Sequence, residues 1–121
     1  MTCVTAGVLQ KDGRIMIYKR PQGKKYAGLW EFPGGKIEGE ESPEEALRRE
    51  LREELAIEVS VGRVIDILRE GDILLMFYGC STENEPKPQE GGSVEFARIE
   101  DLSGYAFAPL DDKFLRRQGL I

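Results

Sequence analysis

The chain has 121 residues, with 17 Lys and Arg against 22 Asp and Glu, giving a net charge of −5 that no histidine modifies. That length fits one domain spanning residues 1–121, and the lack of histidine excludes Ser-His-Asp triads, Cys-His pairs and imidazole-ligated zinc. A negative chain also argues against a polymeric nucleic-acid partner, which asks for a basic surface; a polyanionic small substrate would have to come with cations.

Residues Cys3–Leu9 and Ile15–Arg20 are short β-rich runs joined through Asp12-Gly13, a hairpin turn signal, so two antiparallel strands are predicted. Pro21 to Ala27 is polar and cationic and reads as a loop. Gly28 to Phe32 follows as a short strand, and Pro33-Gly34-Gly35 as a sharp turn. The clearest helix then starts with Ser42 as N-cap, Pro43 at the first helical position and Glu45 completing a capping box, and runs to about Leu55.

Glu58–Leu68 and Ile73–Ser81 form a second predicted hairpin around Glu70-Gly71-Asp72. Thr82 to Ser93 is a loop, Val94–Ile99 one more strand, and Leu110 to about Gln118 a closing helix with Leu110, Phe114 and Leu115 at helical spacing. This order suggests a mixed sheet with helices on its faces, an α/β (α+β) class. Cys3 and Cys80 lack metal-site spacing and read as small buried hydrophobes. The first residues carry no signal-like apolar run and no segment reaches the ~20 apolar residues of a membrane span, so a cytoplasmic location without a membrane partner is expected.

On the first helix, taking Glu50 as zero and about 100° per residue, Glu53 falls at about −60° and Glu54 at about +40°. Leu47, Leu51 and Leu55 form an apolar stripe beside them. Three carboxylates thus share one face at the edge of the core, where they need either solvent or a cation, and oxygen-only ligands suit a hard cation such as Mg²⁺. Arg49 and Arg52 point about 100° and 160° from the acidic centre and so should neutralise only its flanks.

Gly35, Glu41, Arg49-Glu50-Leu51, Glu53-Glu54 and Ile57 stand at the spacing GX5EX7REUXEEXGU, U being aliphatic. The pattern resembles the Nudix box at every fixed position but Ala56, where the family usually carries glycine. Gly28 to Lys36 is similar to the lead-in of MutT-like members. The resemblance implies the Nudix fold, a mixed curved sheet between helices, and hydrolysis of a nucleoside diphosphate linked to another moiety with Mg²⁺ or Mn²⁺. Position by position it implies that Glu50, Glu53, Glu54 and the Gly34 carbonyl bind metal, with Glu53 or Glu54 as general base. Without histidine, a carboxylate base is the natural choice.

Arg49 is either solvated or, as the family position implies, pairs with a box glutamate to orient it. Glu41 is expected to support the helix entrance. By the same resemblance, Glu90 in the loop before the last strand is a further metal-binding or basic residue, and Arg20, thirteen residues before Pro33, contacts phosphate. Lys36 is a second phosphate candidate. Phe32 and Tyr78 are candidate walls of a base pocket, and Asp111 either reads the base edge or serves as N-cap of the last helix.

The MutT-like resemblance implies water attack at the β-phosphorus of a nucleoside triphosphate, releasing monophosphate and pyrophosphate. 8-oxo-dGTP and CTP or dCTP are both open as substrates, ADP-ribose, dinucleoside polyphosphates and capped ends are the second enzymatic reading, and a non-catalytic nucleotide-binding module is the third. A monomer and a homodimer are equally compatible with the sequence.

Overall fold

The computed structural model describes all residues, Met1–Ile121. Its elements are β1 (Thr2–Lys11), β2 (Arg14–Lys19), β3 (Trp30–Glu31), β4 (Gly34–Lys36), α1 (Pro43–Leu55), β5 (Ser60–Glu70), β6 (Ile73–Ser81), β7 (Ser93–Arg98), a 3-10 turn (Ile99–Gly104) and α2 (Pro109–Arg117). The expected mixed sheet is present: β1 runs parallel to β6, and every other strand pair is antiparallel. No helix is long and apolar enough to cross a membrane.

Three local expectations are corrected. The β1–β2 hairpin is paired only beside its turn, at Gln10 with Ile15 and Lys11 with Arg14. Beyond that the strands part, because β4 takes the edge of β1, pairing Val4, Thr5 and Ala6 with Lys36, Gly35 and Gly34. The glycines read as part of a sharp turn are therefore strand. A Cβ on Gly34 would strike the backbone carbonyl of Thr5 in β1, so glycine here serves close strand approach rather than chain reversal. The turn of Ile99–Gly104 was not expected from the sequence.

Side-chain alternation splits the core into two layers. Ile15 and Ile17 of β2, with Phe32, Phe77, Phe114 and Leu115, belong to the layer that includes α2. Met16 and Tyr18, with Leu47, Leu51, Leu55 and Tyr78, belong to the layer beneath α1. Phe32 and Tyr78 thus lie in different layers and cannot wall one pocket. Both cysteines are half-buried rather than fully buried, on the neighbouring strands β1 and β6, where Cys3 pairs with Leu74 and Cys80 with Leu9.

The α1 start is as predicted: Ser42 Oγ accepts from the Glu45 N–H at 3.1 Å, and the Glu45 carboxylate accepts from the Ser42 N–H at 2.8 Å. The helix stops at Ala56, which takes the left-handed conformation at φ 55° and donates its N–H to the Arg52 carbonyl at 3.0 Å. Alanine keeps the glycine-type geometry at a cost of about 1 kcal/mol. Ala56→Gly is expected to raise stability by about that amount, or about 3–5 °C in Tm, read by thermal and denaturant unfolding; a destabilised variant would contradict the strain.

Candidate active site

Two adjoining cavities lie where β1 and β2 part. The larger, about 760 Å³, is lined by Glu50, Glu53 and Glu54 of α1, Lys36 of β4, Tyr18, Arg20 and Lys24 from β2 and the loop after it, and Gln89 and Glu90 of the loop before β7. The smaller, about 250 Å³, is mostly apolar, with Val4, Ala6, Phe32, Leu75 and Leu110 joined by Glu31, Asp111 and Tyr26. Arg20 is the one residue facing both.

The acidic face of α1 is seated on β4. A Cβ on Gly35 would collide with the Glu50 carboxylate, so glycine leaves the room that this carboxylate fills against β4. The Gly34 N–H donates to Glu54 Oε1 at 3.1 Å. Arg49 reaches further than its helical angle suggested: Nη1 donates to both Glu50 and Glu53 at 3.0 Å, and Nη2 to the Lys36 carbonyl at 2.9 Å. Its two-point pair is with Glu41, at 2.6 and 3.1 Å, rather than with a glutamate of the cleft. This pairing holds the Glu41 carboxyl below the usual carboxylate range.

Glu54 is pushed up to about 8, first by burial, then by the neighbouring charges of Glu31 and Glu50, against the pull of the Gly34 N–H and Arg20. Burial likewise raises Glu50. As placed, no three acidic side chains close around one point, because Arg49 holds Glu50 and Glu53 while Gly34 holds Glu54. The donor set is nonetheless all carboxylate oxygen with an excess of negative charge, chemistry that fits Mg²⁺ or Mn²⁺. Glu90 is exposed on the cleft rim at φ 54°. Its loop hangs from the end of α1, the Lys87 and Gln89 N–H groups donating to the Leu55 and Glu54 carbonyls at 2.8 and 2.9 Å.

Arg20 donates to both oxygens of Glu31, at 2.5 and 3.1 Å. Asp111 is not an N-cap: Ala108 holds that position, and Asp111, two residues past Pro109, is buried and accepts from the Phe32 N–H at 2.9 Å. Phe32 is itself core, edge-on to Phe77 and Phe114, and forms a floor of the smaller cavity. Tyr78 lines neither cavity. Tyr18, Lys24, Tyr26 and Glu31 were not singled out from the sequence. For Glu31 a signal existed in its apolar neighbours Trp30 and Phe32, between which a carboxylate needs a partner.

Burial first, then Glu31, pushes the Asp111 carboxyl up to about 8, against about 3.9 in an unfolded chain. The folded state therefore holds this proton more tightly than the unfolded one. The resulting stabilisation is complete below about pH 4 and is lost as the pH rises towards 8. Asp111→Asn is expected to flatten the fall in stability across that window, measured by denaturant unfolding at several pH values; an unchanged slope would assign the dependence to other groups.

The NUDIX domain family model matches residues 1–118. A CTP pyrophosphohydrolase of Escherichia coli is 52% identical over 62 residues, 51% of this chain and 46% of that protein. An 8-oxo-dGTP diphosphatase of Haemophilus influenzae is 31% identical over 120 residues, 94% of this chain and 88% of that protein. For the first curated relatives the matched stretch is about half of their length, 46% and 57%. A MutT structure from work on the Aliivibrio salmonicida and Vibrio cholerae proteins superposes with a TM-score of 0.86 at 32% identity, covering 96% of this chain and 94% of that one. With Glu50, Glu53 and Glu54 of the box on one cleft wall and the family model spanning nearly every residue, this chain belongs to the Nudix family.

Proposed function

We propose that this chain hydrolyses a nucleoside triphosphate to the nucleoside monophosphate and pyrophosphate, with Mg²⁺ or Mn²⁺ as cofactor. One observation carries the reading: a charged cleft and an apolar pocket meet at Arg20, so a polyphosphate can lie in the first while its base enters the second. Similarity to the CTP pyrophosphohydrolase and to the 8-oxo-dGTP diphosphatase supports it.

Glu50, Glu53, Glu54 and the Gly34 carbonyl would hold the metal, with Glu90 from the rim loop; bound there, it neutralises phosphate charge and makes a water more acidic. Arg20, Lys24 and Lys36 supply fixed cations along the cleft, which offset the chain's net negative charge where the polyanion binds. Arg49 positions Glu50 and Glu53 rather than touching substrate. Glu53 or Glu54 accepts a proton from the attacking water. The water oxygen bonds to the β-phosphorus, the bond from that phosphorus to the α–β bridging oxygen breaks, and the bridging oxygen leaves with the monophosphate.

Two base classes follow from the relatives, pyrimidine and oxidised purine. Asp111, held protonated near neutral pH, offers one donor and acceptor capacity together. That pattern complements any base edge with a donor beside an acceptor, N4 amino and ring nitrogen in cytosine or N7–H and O6 in an oxidised purine, so it serves both classes.

Pyrophosphate release with Mg²⁺ across the common triphosphates, 8-oxo-dGTP, ADP-ribose and a dinucleoside polyphosphate is the test. Pyrophosphate plus monophosphate from one triphosphate is expected, and cleavage of ADP-ribose or the dinucleotide alone would reject the substrate class. Glu53→Gln or Glu54→Gln should lower turnover by about 100-fold or more with the fold retained, and EDTA should abolish it. Full activity in either variant would remove that carboxylate from the reaction.

A further inference from the structure

Between Arg20 and Leu29 the chain turns through three residues in the left-handed region, Gly23 at φ 87°, Tyr26 at φ 61° and Gly28 at φ 85°. Two are glycines, as that conformation favours; the third is a bulky aromatic that rarely adopts it. The loop is pinned in this shape. The Ala27 N–H donates to the Lys24 carbonyl at 3.0 Å and the Leu29 N–H to the Tyr26 carbonyl at 3.1 Å. Arg20 Nη1 donates to the Lys25 carbonyl at 3.2 Å while its Nε holds Glu31.

Tyr26 gains little from the core in return for its backbone: it is 41% exposed and belongs to neither core layer. Instead it lines the apolar cavity, on the same loop as Arg20 and opposite in chain terms to Asp111 of α2. The Lys25 ammonium sits 5.1 Å from its ring centroid. A strained, exposed aromatic at the rim of a pocket is a feature whose use is external to the fold.

We propose that Tyr26 is a substrate-binding residue that stacks its ring on the nucleobase entering this pocket. Arg20 thereby couples two tasks, holding the stacking loop through the Lys25 carbonyl and facing the phosphate cleft with its charge. The inference rests on the reading that this pocket takes the base. Stacking on an aromatic ring tolerates any base, so Tyr26 supplies affinity while the polar edge near Asp111 supplies choice.

The test is calorimetric titration of the full chain with CMP, with 8-oxo-dGMP and with inorganic tripolyphosphate, which has no base. Tyr26→Ala and Tyr26→Gly are compared with Tyr26→Phe and wild type; glycine accepts φ 61° without strain, so its effect reports the ring alone. For whichever monophosphate the wild type binds more tightly, a loss of about 5- to 100-fold is expected in the Ala and Gly variants. Binding within about twofold of wild type is expected for Phe, with tripolyphosphate affinity unchanged throughout.

Wild-type affinity in the Ala and Gly variants would overturn the stack. So would an equal loss of tripolyphosphate, which would show that the loop rather than the ring is at work, or a wild type that binds neither monophosphate. Triphosphate hydrolysis by the wild type is a separate readout: monophosphate binding through Tyr26 without hydrolysis keeps the stack and refutes the proposed reaction.

Discussion

The close approach of α1 to β4 is the constraint on which the rest of the site depends. Gly35 leaves the room that the Glu50 carboxylate fills, and the Gly34 N–H takes Glu54. Arg49 ties Glu50, Glu53 and the Lys36 carbonyl together from the flank. An isolated helix with three like charges at these spacings loses roughly 0.2–0.5 kcal/mol per pair. Against that, Leu47, Leu51 and Leu55 are each fully buried on the adjacent stripe, worth about 1.5–3 kcal/mol apiece. Packing therefore wins several-fold, and the helix can carry a repulsive face.

Strand geometry then decides what the acidic face looks out on. Because β4 separates β1 from β2 beyond their turn, the sheet opens, and the opening becomes a cleft with α1 on one wall and the 20–28 loop on the other. The aromatic layer under α2, with Phe77 and Phe114 stacked 4.1 Å apart, closes the far side and leaves a smaller apolar recess above Phe32. Charge and hydrophobicity are thus sorted into two neighbouring spaces. Arg20, neutralised on one side by Glu31, stands between them.

Much of this was legible in the sequence where one residue type has one physical use. The capping box at Ser42 and the apolar stripe of Leu47, Leu51 and Leu55 sit as read, and Glu50, Glu53 and Glu54 share one face onto the cleft, whereas Arg49 reaches that face instead of only its flank. What could not be read depends on partners distant in sequence. Gly34-Gly35 looks like a turn because glycine carries no sign of which use it serves, and only the proximity of Thr5 and Glu50 shows that it serves strand and helix approach. Tyr78, a candidate wall of the base pocket, faces the α1 layer instead, because an aromatic on a strand declares its alternation only once the register against β1 and β5 is known. Asp111 read either as a base-edge contact or as a cap; Ala108 holds the cap position, and Asp111 Oδ1 accepts from the Phe32 N–H, 79 residues earlier.

Gly35 gives the most direct measurement. Mn²⁺ titration followed by electron paramagnetic resonance, on wild type and Gly35→Ala with circular dichroism as the fold control, reads whether the seating of α1 on β4 makes the cation site. A variant that stays folded but binds Mn²⁺ at least about tenfold more weakly is expected, since a methyl group there must displace Glu50. A folded variant with wild-type Mn²⁺ affinity would contradict it and detach the cation from the α1–β4 contact.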